Sequence, residues 1–518
     1  MEQKLQNLPI GIQNFESLRN DGYLYIDKTG IMHQLVSTGR YYFLSRPRRF
    51  GKSMLISTLR AYFEGKKELF KGLAIEQLDT EWVKYPILHL DLNTQKYDGL
   101  DSLNERLEKS IREWEEQYDC IAKYDSFGLR FEYVIQRAFE KTGQRVVILV
   151  DEYDKPMLQA IGREDLQNEY RATLKGFYGA LKSMDAYIKF AMLTGVTKFG
   201  KVSVFSDLNN LDDISMNKKY YNICGITEEE LQQALRPYVE RLAEEQELTV
   251  EEAYAQLRKQ YDGYHFTYNV PGLYNPFSVL KALNNMDFGS YWFETGTPSY
   301  LVELLKKHNY DLERMSHEEV TADVLNSVDI ASTNPIPVIF QSGYLTIKEY
   351  DKEFKLYKLG FPNSEVEEGF VNYLMPFYTP IKNSSTGFEI TNFVKEIRRG
   401  EIDAFMNRLK SFFADTPYEL VKELENHYQN VLFILCRLAG FHVKAEYHTS
   451  AGRIDMTMET SDFCYVFEFK FEGSAEEGLQ QIKDKHYTQP FEASGKKIIC
   501  IGANFKHELR NIERYVVE

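Results

Sequence analysis

Apolar positions along the chain follow two rhythms. Four short runs are apolar at nearly every position: "YYFLS" (41–45), "YPILHLDL" (85–92), "RVVILV" (145–150) and "YIKFAMLTGV" (187–196). Continuous runs of this kind suit strands covered on both faces, as in a parallel sheet. Between them the spacing turns helical. Leu55, Leu59, Tyr62 and Phe63 share a side, and 103–118 and 128–141 repeat the same period. Strand alternating with helix predicts a doubly wound α/β sheet for the first two hundred or so residues.

From about 216 the rhythm changes. "GITEEEL" (225–231) holds a capping box, Thr227 with Glu230, opening a helical stretch to about 260. "YDGYHF" (261–266), "LYNPFSVL" (273–280) and "YWFETGTPSYL" (291–301) read as aromatic turns that pack a core, with the whole region forming a helical lid. "VIFQSGYLTIKEYD" (338–351) and "FKLYKLGFPN" (354–363) predict a β-hairpin, and "PIKNSSTGFEI" (380–390) a linker. After 420 the order is helix, three strands, helix, strand. The third of those strands, "YVFEFKFEG" (465–473), alternates: Tyr465, Phe467, Phe469 and Phe471 on one face, Val466, Glu468 and Lys470 on the other. A solvated edge strand would explain that pattern. So would a site that needs a carboxylate beside an ammonium.

Composition narrows the field. Apolar residues make up 43% and charged residues 27%, ordinary for a globular chain, and 36 Tyr and 34 Phe allow large cores. At 518 residues about three domains are expected: 1–215, 216–384 and 385–518. The five cysteines form no CxxC or metal-ligand spacing and read as reduced thiols of a cytoplasmic protein. The N-terminus lacks a signal-peptide pattern, and no apolar run approaches the ~20 residues of a membrane span, so no membrane partner is expected. A net charge of −15 argues against sequence-blind coating of nucleic acid. Residues 1–60 nevertheless hold nine Lys and Arg against four Asp and Glu.

That basic excess gathers on "RPRRFGKS" (46–53), set between a strand and a helix. Strand, loop, Gly-Lys-Ser, helix is the context of a phosphate-binding P-loop. Backbone N–H groups of Arg48, Arg49, Phe50, Gly51 and Met54 would cradle phosphates of ATP. Lys52 would reach the β- and γ-phosphates, and Ser53 would ligate Mg²⁺. Arg46 occupies the position where the usual motif has its first Gly. About a hundred residues on, an apolar strand ends in Asp151 and Glu152, where ligands bind in open α/β sheets. Asp151 would hold Mg²⁺ through water and Glu152 would orient or deprotonate an attacking water. Thr194, at the end of the last strand, is the candidate γ-phosphate sensor; capping the next element is its other reading.

At the far end Asp455 lies thirteen residues before Glu468 on a neighbouring predicted strand. Asp…Glu-x-Lys brings together two hard oxygen ligands for Mg²⁺ and one ammonium. Such a metal lowers the pKa of bound water and stabilises charge on phosphate, while Lys470 offsets developing negative charge.

The arrangement "GRID" (452–455), "EFK" (468–470), "QQI" (480–482) resembles the PD-(D/E)XK nuclease superfamily, through Gln481 to Tyr487, although Ile454 stands where the motif has proline. The resemblance implies a restriction-endonuclease-like α/β domain, with Glu446, Gln481, Glu425 or His427 in supporting roles. "YLYIDKTG", "RPRRFGKS" and "VDEYDKP" are similar to bacterial AAA-ATPase-like proteins that carry such a domain at their C-terminus; in that family Arg at position 46 is the ordinary form. The likeness covers about 8–300 and 385–518. It implies a P-loop NTPase sheet with a helical lid, ATP and Mg²⁺ as cofactors, and a nucleic acid, DNA first, as partner.

The leading expectation is therefore an ATP-gated or ATP-driven, Mg²⁺-dependent nuclease. A second is an ATP-dependent switch whose nuclease-like domain binds without cutting. Residues 421–518 carry twelve Lys and Arg against fifteen Asp and Glu, which favours it. A small-molecule P-loop kinase is disfavoured by Glu152, which suits water activation. A homo-oligomer would let Arg48, Arg49 or Arg171 act in trans.

Overall fold

The computed structural model describes residues 5–198, 210–293, 301–302, 304–305, 310–316, 318–326, 334–379, 386–413, 424–440, 444–450, 453–471 and 473–518. For 316, 386–388, 424–425, 444–450 and 453–455 the description is of the backbone alone. The chain divides into two compact units, 1–295 with 318–364, and 296–317 with 365–518.

In the first unit the apolar runs become strands β1 (Tyr41–Ser45), β2 (Ile87–Asp91), β3 (Val146–Asp151) and β4 (Ile188–Gly195), joined by a two-residue β5 (Asp212–Asp213). They pair in parallel in the order β2-β3-β4-β1-β5. Every residue of β1 and β3 is buried, which is why neither strand shows alternation. Helix α1 (Lys52–Phe63) covers one face, where Leu55, Leu59 and Phe63 pack with Val147, Phe190 and Met192. Helices α2 (Leu100–Gln117), α3 (Phe127–Thr142) and α4 (Glu164–Tyr178) pack together through Trp114, Phe131 and Phe177; the rings of Phe131 and Phe177 stack at 4.3 Å.

The helical region follows as α5 (Glu228–Ala234), α6 (Arg236–Glu245), α7 (Val250–Tyr261) and α8 (Pro276–Asn285). Thr227 and Glu230 form the expected capping box. "LYNPFSVL" is mostly helix rather than turn. Asn275 accepts N–H bonds from Phe277 (3.0 Å) and Ser278 (3.2 Å), and Pro276 supplies a pre-set φ at the first helical position. The core of these helices, Leu231, Val239, Leu257 and Leu283, also takes Leu8, Ile10, Leu24 and Ile26 from the N-terminal segment. The hairpin is present as β7 (Thr346–Asp351) and β8 (Leu356–Gly360), with β6 (Glu319–Thr321) added in the order β6-β8-β7. Its start differs from the sequence reading, because Ile336–Gln341 is helix. All six of those residues are buried, so the apolar run carries no period to tell helix from strand. Of "YWFETGTPSYL", residues 294–300 lie outside the described residues.

The second unit holds β9 (Lys444–Ser450), β10 (Arg453–Glu459), β11 (Phe463–Lys470), β12 (Lys497–Lys506) and β13 (Asn511–Val517) in the order β13-β12-β11-β10-β9. Only β11 and β12 run parallel. Its helices include Ser364–Tyr378, α9 (Thr386–Arg399), α10 (Ile402–Phe413), α11 (Leu424–Gly440) and α12 (Ala475–Asp484). Residues 380–385 of the expected linker lie outside the described residues, while 386–390 already form the start of α9. The aromatic face of β11 meets α9 and α10: Phe405 lies 5.5 Å from Phe467, and the Tyr465 hydroxyl donates to the Ile397 carbonyl at 2.6 Å.

Candidate active sites

β1 ends at Ser45 and the chain turns through the basic loop into α1. Gly51 caps that helix in the left-handed region (φ 93°), which a side chain would strain. Lys52 is 3% exposed; its Nζ donates to the carbonyls of Arg46 (3.1 Å) and Pro47 (3.2 Å) and pairs with Glu152 Oε1 at 3.1 Å. Glu152 follows β3 with φ 54°, a left-handed conformation that costs about 1–3 kcal/mol and persists where surroundings impose it. Behind it the Thr194 hydroxyl donates to Asp151 Oδ1 at 2.6 Å, and the Glu152 N–H donates to the same oxygen at 3.1 Å.

A 570 Å³ cavity opens over these groups. Arg48, Arg49, Gly51, Lys52, Ser53 and Glu152 are among its lining residues, as is Met54. Ile10, Ile12, Ile26, Ile226, Phe277 and Leu280 give it apolar wall. A lining that combines basic, N–H-rich groups with apolar side chains matches the two chemistries of a nucleoside triphosphate. Asp151 and Thr194 are bonded to each other beneath the cavity and are not part of its wall. Phe50 turns its ring inward, 4.8 Å from Tyr264 and 5.2 Å from Phe266. Arg49 lies over the Phe277 ring at 3.7 Å, joining the loop to α8. Arg171 is on α4, donating to Asn168 at 2.8 Å, away from the cavity wall.

Arg46 explains the missing first Gly. Its side chain is buried, donating to the carbonyls of Ser45 (2.8 Å), Ser215 (2.8 Å) and Tyr221 (3.3 Å), with the guanidinium 4.1 Å from the Phe266 ring centroid. Burial lowers its pKa to about 10. The arginine braces the loop from behind. Other cavity groups also escaped the sequence reading. Lys28 donates to both oxygens of Glu230 at 2.6 Å, and Lys155 donates to the side chain of Asn93 at 2.6 Å. Asp154 is not part of the cavity wall; it is fully buried, and burial, reinforced by Glu152, pushes its carboxyl up to about 6. An acidic residue before Lys-Pro reads as a helix cap, so its sequence gave no signal of another role.

In the second unit β11 is the central strand, so the solvated-edge explanation fails. Glu468 is 0% exposed and its Oε1 lies 2.8 Å from Lys470 Nζ. Lys470 also donates to Gln481 of α12, and Gln481 donates to the Tyr487 hydroxyl at 3.4 Å. The helix approaches because of two glycines. A Cβ on Gly478 would meet the Glu468 carbonyl at 3.1 Å, and one on Gly502 the Ala475 carbonyl at 2.1 Å. The register sets Asp455 opposite Glu468, and Glu446 opposite Thr457. The side chains of Asp455, Glu446 and Glu425 lie outside the described residues. His427 is buried on α11, stacked 6.2 Å from Tyr378. Among the described residues no group of three or more His, Cys, Asp or Glu side chains could hold a metal ion, and no helix is long and apolar enough to cross a membrane. The hard oxygen donors at both sites still suit Mg²⁺ in type.

Comparison with known proteins adds three findings. A family model described as a predicted AAA-ATPase matches residues 9–205. A model of the PD-(D/E)XK nuclease superfamily matches residues 423–515. A protein of Azotobacter chroococcum mcd 1, described as an uncharacterized protein in the vnfD 5′ region, is 34% identical over 523 residues, covering 99% of each chain.

Proposed function

Because the chain belongs to the family of predicted AAA-ATPases with a C-terminal PD-(D/E)XK nuclease superfamily domain, we propose that it binds and hydrolyses ATP and cleaves nucleic-acid phosphodiesters, with ATP gating or driving the cut. The observation that carries the nuclease reading is the fully buried Glu468 held 2.8 Å from Lys470 on a central strand, with Asp455 opposite in register. Burying that charge costs several kcal/mol, which a merely structural strand avoids with an apolar residue. The cavity over Lys52 supports the ATP reading in the same way.

At the first site an incoming triphosphate offers Lys52 stronger acceptors than the carbonyls of Arg46 and Pro47. Lys52 then leaves Glu152, whose carboxylate is free to take a proton. The water oxygen bonds to the γ-phosphorus as the bond to the β–γ bridging oxygen breaks. ADP and phosphate leave, and the water proton passes to Glu152. At the second site Lys470, fixed by Gln481, offsets charge on the scissile phosphate. Mg²⁺, when bound, supplies Lewis acidity and a more acidic water; Ser53, with Asp151 through water, would hold it at one site, Asp455 and Glu468 at the other.

A second reading is supported by the charge of residues 421–518, twelve basic against fifteen acidic: an ATP-dependent switch whose C-terminal domain binds a nucleic acid or protein without cutting. One experiment separates the two. Plasmid, single-stranded DNA and RNA are incubated with Mg²⁺ or Mn²⁺, with and without ATP, beside a Glu468→Gln control. Cleavage by the wild type alone supports the nuclease, and its ATP dependence supports gating. Intact ATP binding with no cleavage of any substrate supports the switch.

A further inference from the structure

Asp154 is a buried carboxylate to which the chemistry above gives no part. It stands at the start of a short helix, Lys155–Gln159, yet makes no side-chain cap bond there. Its oxygens turn instead to the chain just past β4. The Val196 N–H donates to Oδ1 and Oδ2, each at 3.2 Å; the Thr197 N–H and hydroxyl each donate to Oδ2 at 2.6 Å. Tyr153 reinforces the junction. Its N–H donates to the Thr194 carbonyl at 2.9 Å and its hydroxyl to the Thr197 carbonyl at 2.8 Å. The contact is so close that a Cβ on Gly195 would meet Asp154 Oδ1 at 2.5 Å and the Tyr153 ring at 2.6 Å.

The junction encloses both candidate residues of the hydrolytic step. On the β4 side is Thr194, bonded to Asp151. On the β3 side is Glu152, in its left-handed conformation between Asp151 and Tyr153. An apolar residue at 154 would pack without the cost of burying a carboxylate. What it could not do is accept three converging donors at fixed angles. We infer that Asp154, through Thr197, is a positioning residue for ATP hydrolysis: it ties the end of β4 to the turn after β3 and so aims Glu152 and holds Thr194 on Asp151. The inference rests on the ATPase reading of this site. Gly51 and the two carbonyl contacts of Lys52 belong to the loop after β1 and to α1, so the tie bears on nucleotide binding less than on hydrolysis.

The test uses the full-length protein, a fluorescent ATP analogue for affinity and phosphate release for turnover. Asp154→Asn keeps the shape but turns an NH₂ group toward N–H and O–H donors. Thr197→Val removes the hydroxyl donor and leaves both backbone donors. The expected result is affinity within about threefold of wild type in both, with kcat lowered about tenfold or more by Asp154→Asn and about threefold by Thr197→Val. A loss confined to kcat is the mark of positioning, since a loosened fold lowers affinity and turnover together. Unchanged kcat in both variants, or affinity and kcat falling by one common factor, overturns the inference. If Asp154→Asn does not fold, Thr197→Val decides by the same criteria. A wild type that binds ATP and releases no phosphate overturns the ATPase reading and this inference with it; a hydrolysing wild type with unchanged variants overturns the inference alone.

Discussion

Both units of the chain bury a lysine against a glutamate, and the two pairs are built on opposite plans. Lys52 opens helix α1 and Glu152 follows strand β3, one hundred positions apart, and they meet at 3.1 Å. Each has an alternative: Lys52 already shares its protons with two carbonyls, and the Glu152 side chain keeps 17% exposure. Glu468 and Lys470 sit two positions apart on one central strand, so the pleat alone puts them on one face. Glu468 has no exposure, and Lys470 is fixed again by Gln481. A pair assembled from separate loops can be parted by a ligand. A pair set by a strand is fixed before any ligand arrives. On this view the first site is a responsive one and the second a rigid one, which suits a nucleotide-controlled protein.

The largest effects fall on turnover. On the proposed function, Glu468→Gln is expected to lower metal-dependent cleavage by about 10²–10⁴-fold, and Glu152→Gln to lower phosphate release by a similar factor. The comparison sharpens in binding: Glu152→Gln keeps its nucleotide, whereas Lys52→Ala loses it, as equilibrium dialysis with ATP would record. Stability separates the pairs next. Lys470→Met leaves the unexposed Glu468 without its ammonium and destabilises the second unit by about 3–5 kcal/mol. Lys52→Met lets the partly exposed Glu152 turn to water, so the loss through that pair should be smaller than at Lys470. Denaturant unfolding measures both, and equal losses would erase the distinction.

A third variant asks what braces the responsive site. Arg46→Gly would give the loop the commoner glycine. It should not improve the protein, because it deletes three bonds from a buried guanidinium to carbonyls and empties its space. A loss of about 2–5 kcal/mol is expected, with weaker nucleotide binding. Arg46 also marks where the sequence stopped being legible. The strands, the Gly-Lys-Ser turn and the Asp-Glu strand end could be read because each is a local pattern with a local cause. The partners of Arg46, at Ser215 and Tyr221, lie about 170 positions away, and nothing local announces them. β11 shows the same limit. Its alternation was plain, but whether Glu468 faced water or a helix depended on Gly478 and Gly502 admitting α12. The helix at Ile336–Gln341 hid for the opposite reason, since burial on every side removes periodicity.

The smallest effect concerns pH and tests the tie at the responsive site. Burial, with Glu152 beside it, holds the Asp154 carboxyl up at about 6, while the Thr197 donors and Lys52 pull the other way; the buried hydroxyls of Tyr153 and Tyr178 also face it. A carboxyl with a raised folded pKa keeps its proton in the folded chain at pH values where the unfolded chain, titrating near ~4, has lost it. Its contribution to stability is therefore complete at low pH and is lost as pH rises through about 6. In nucleotide-free protein stripped of divalent ions, the melting temperature of wild type relative to Asp154→Asn should fall as pH rises from about 5 and level off above about 6.5. A difference that rises with pH, or one that does not change between about pH 5 and about pH 6.5, would mean that Asp154 does not carry this titration.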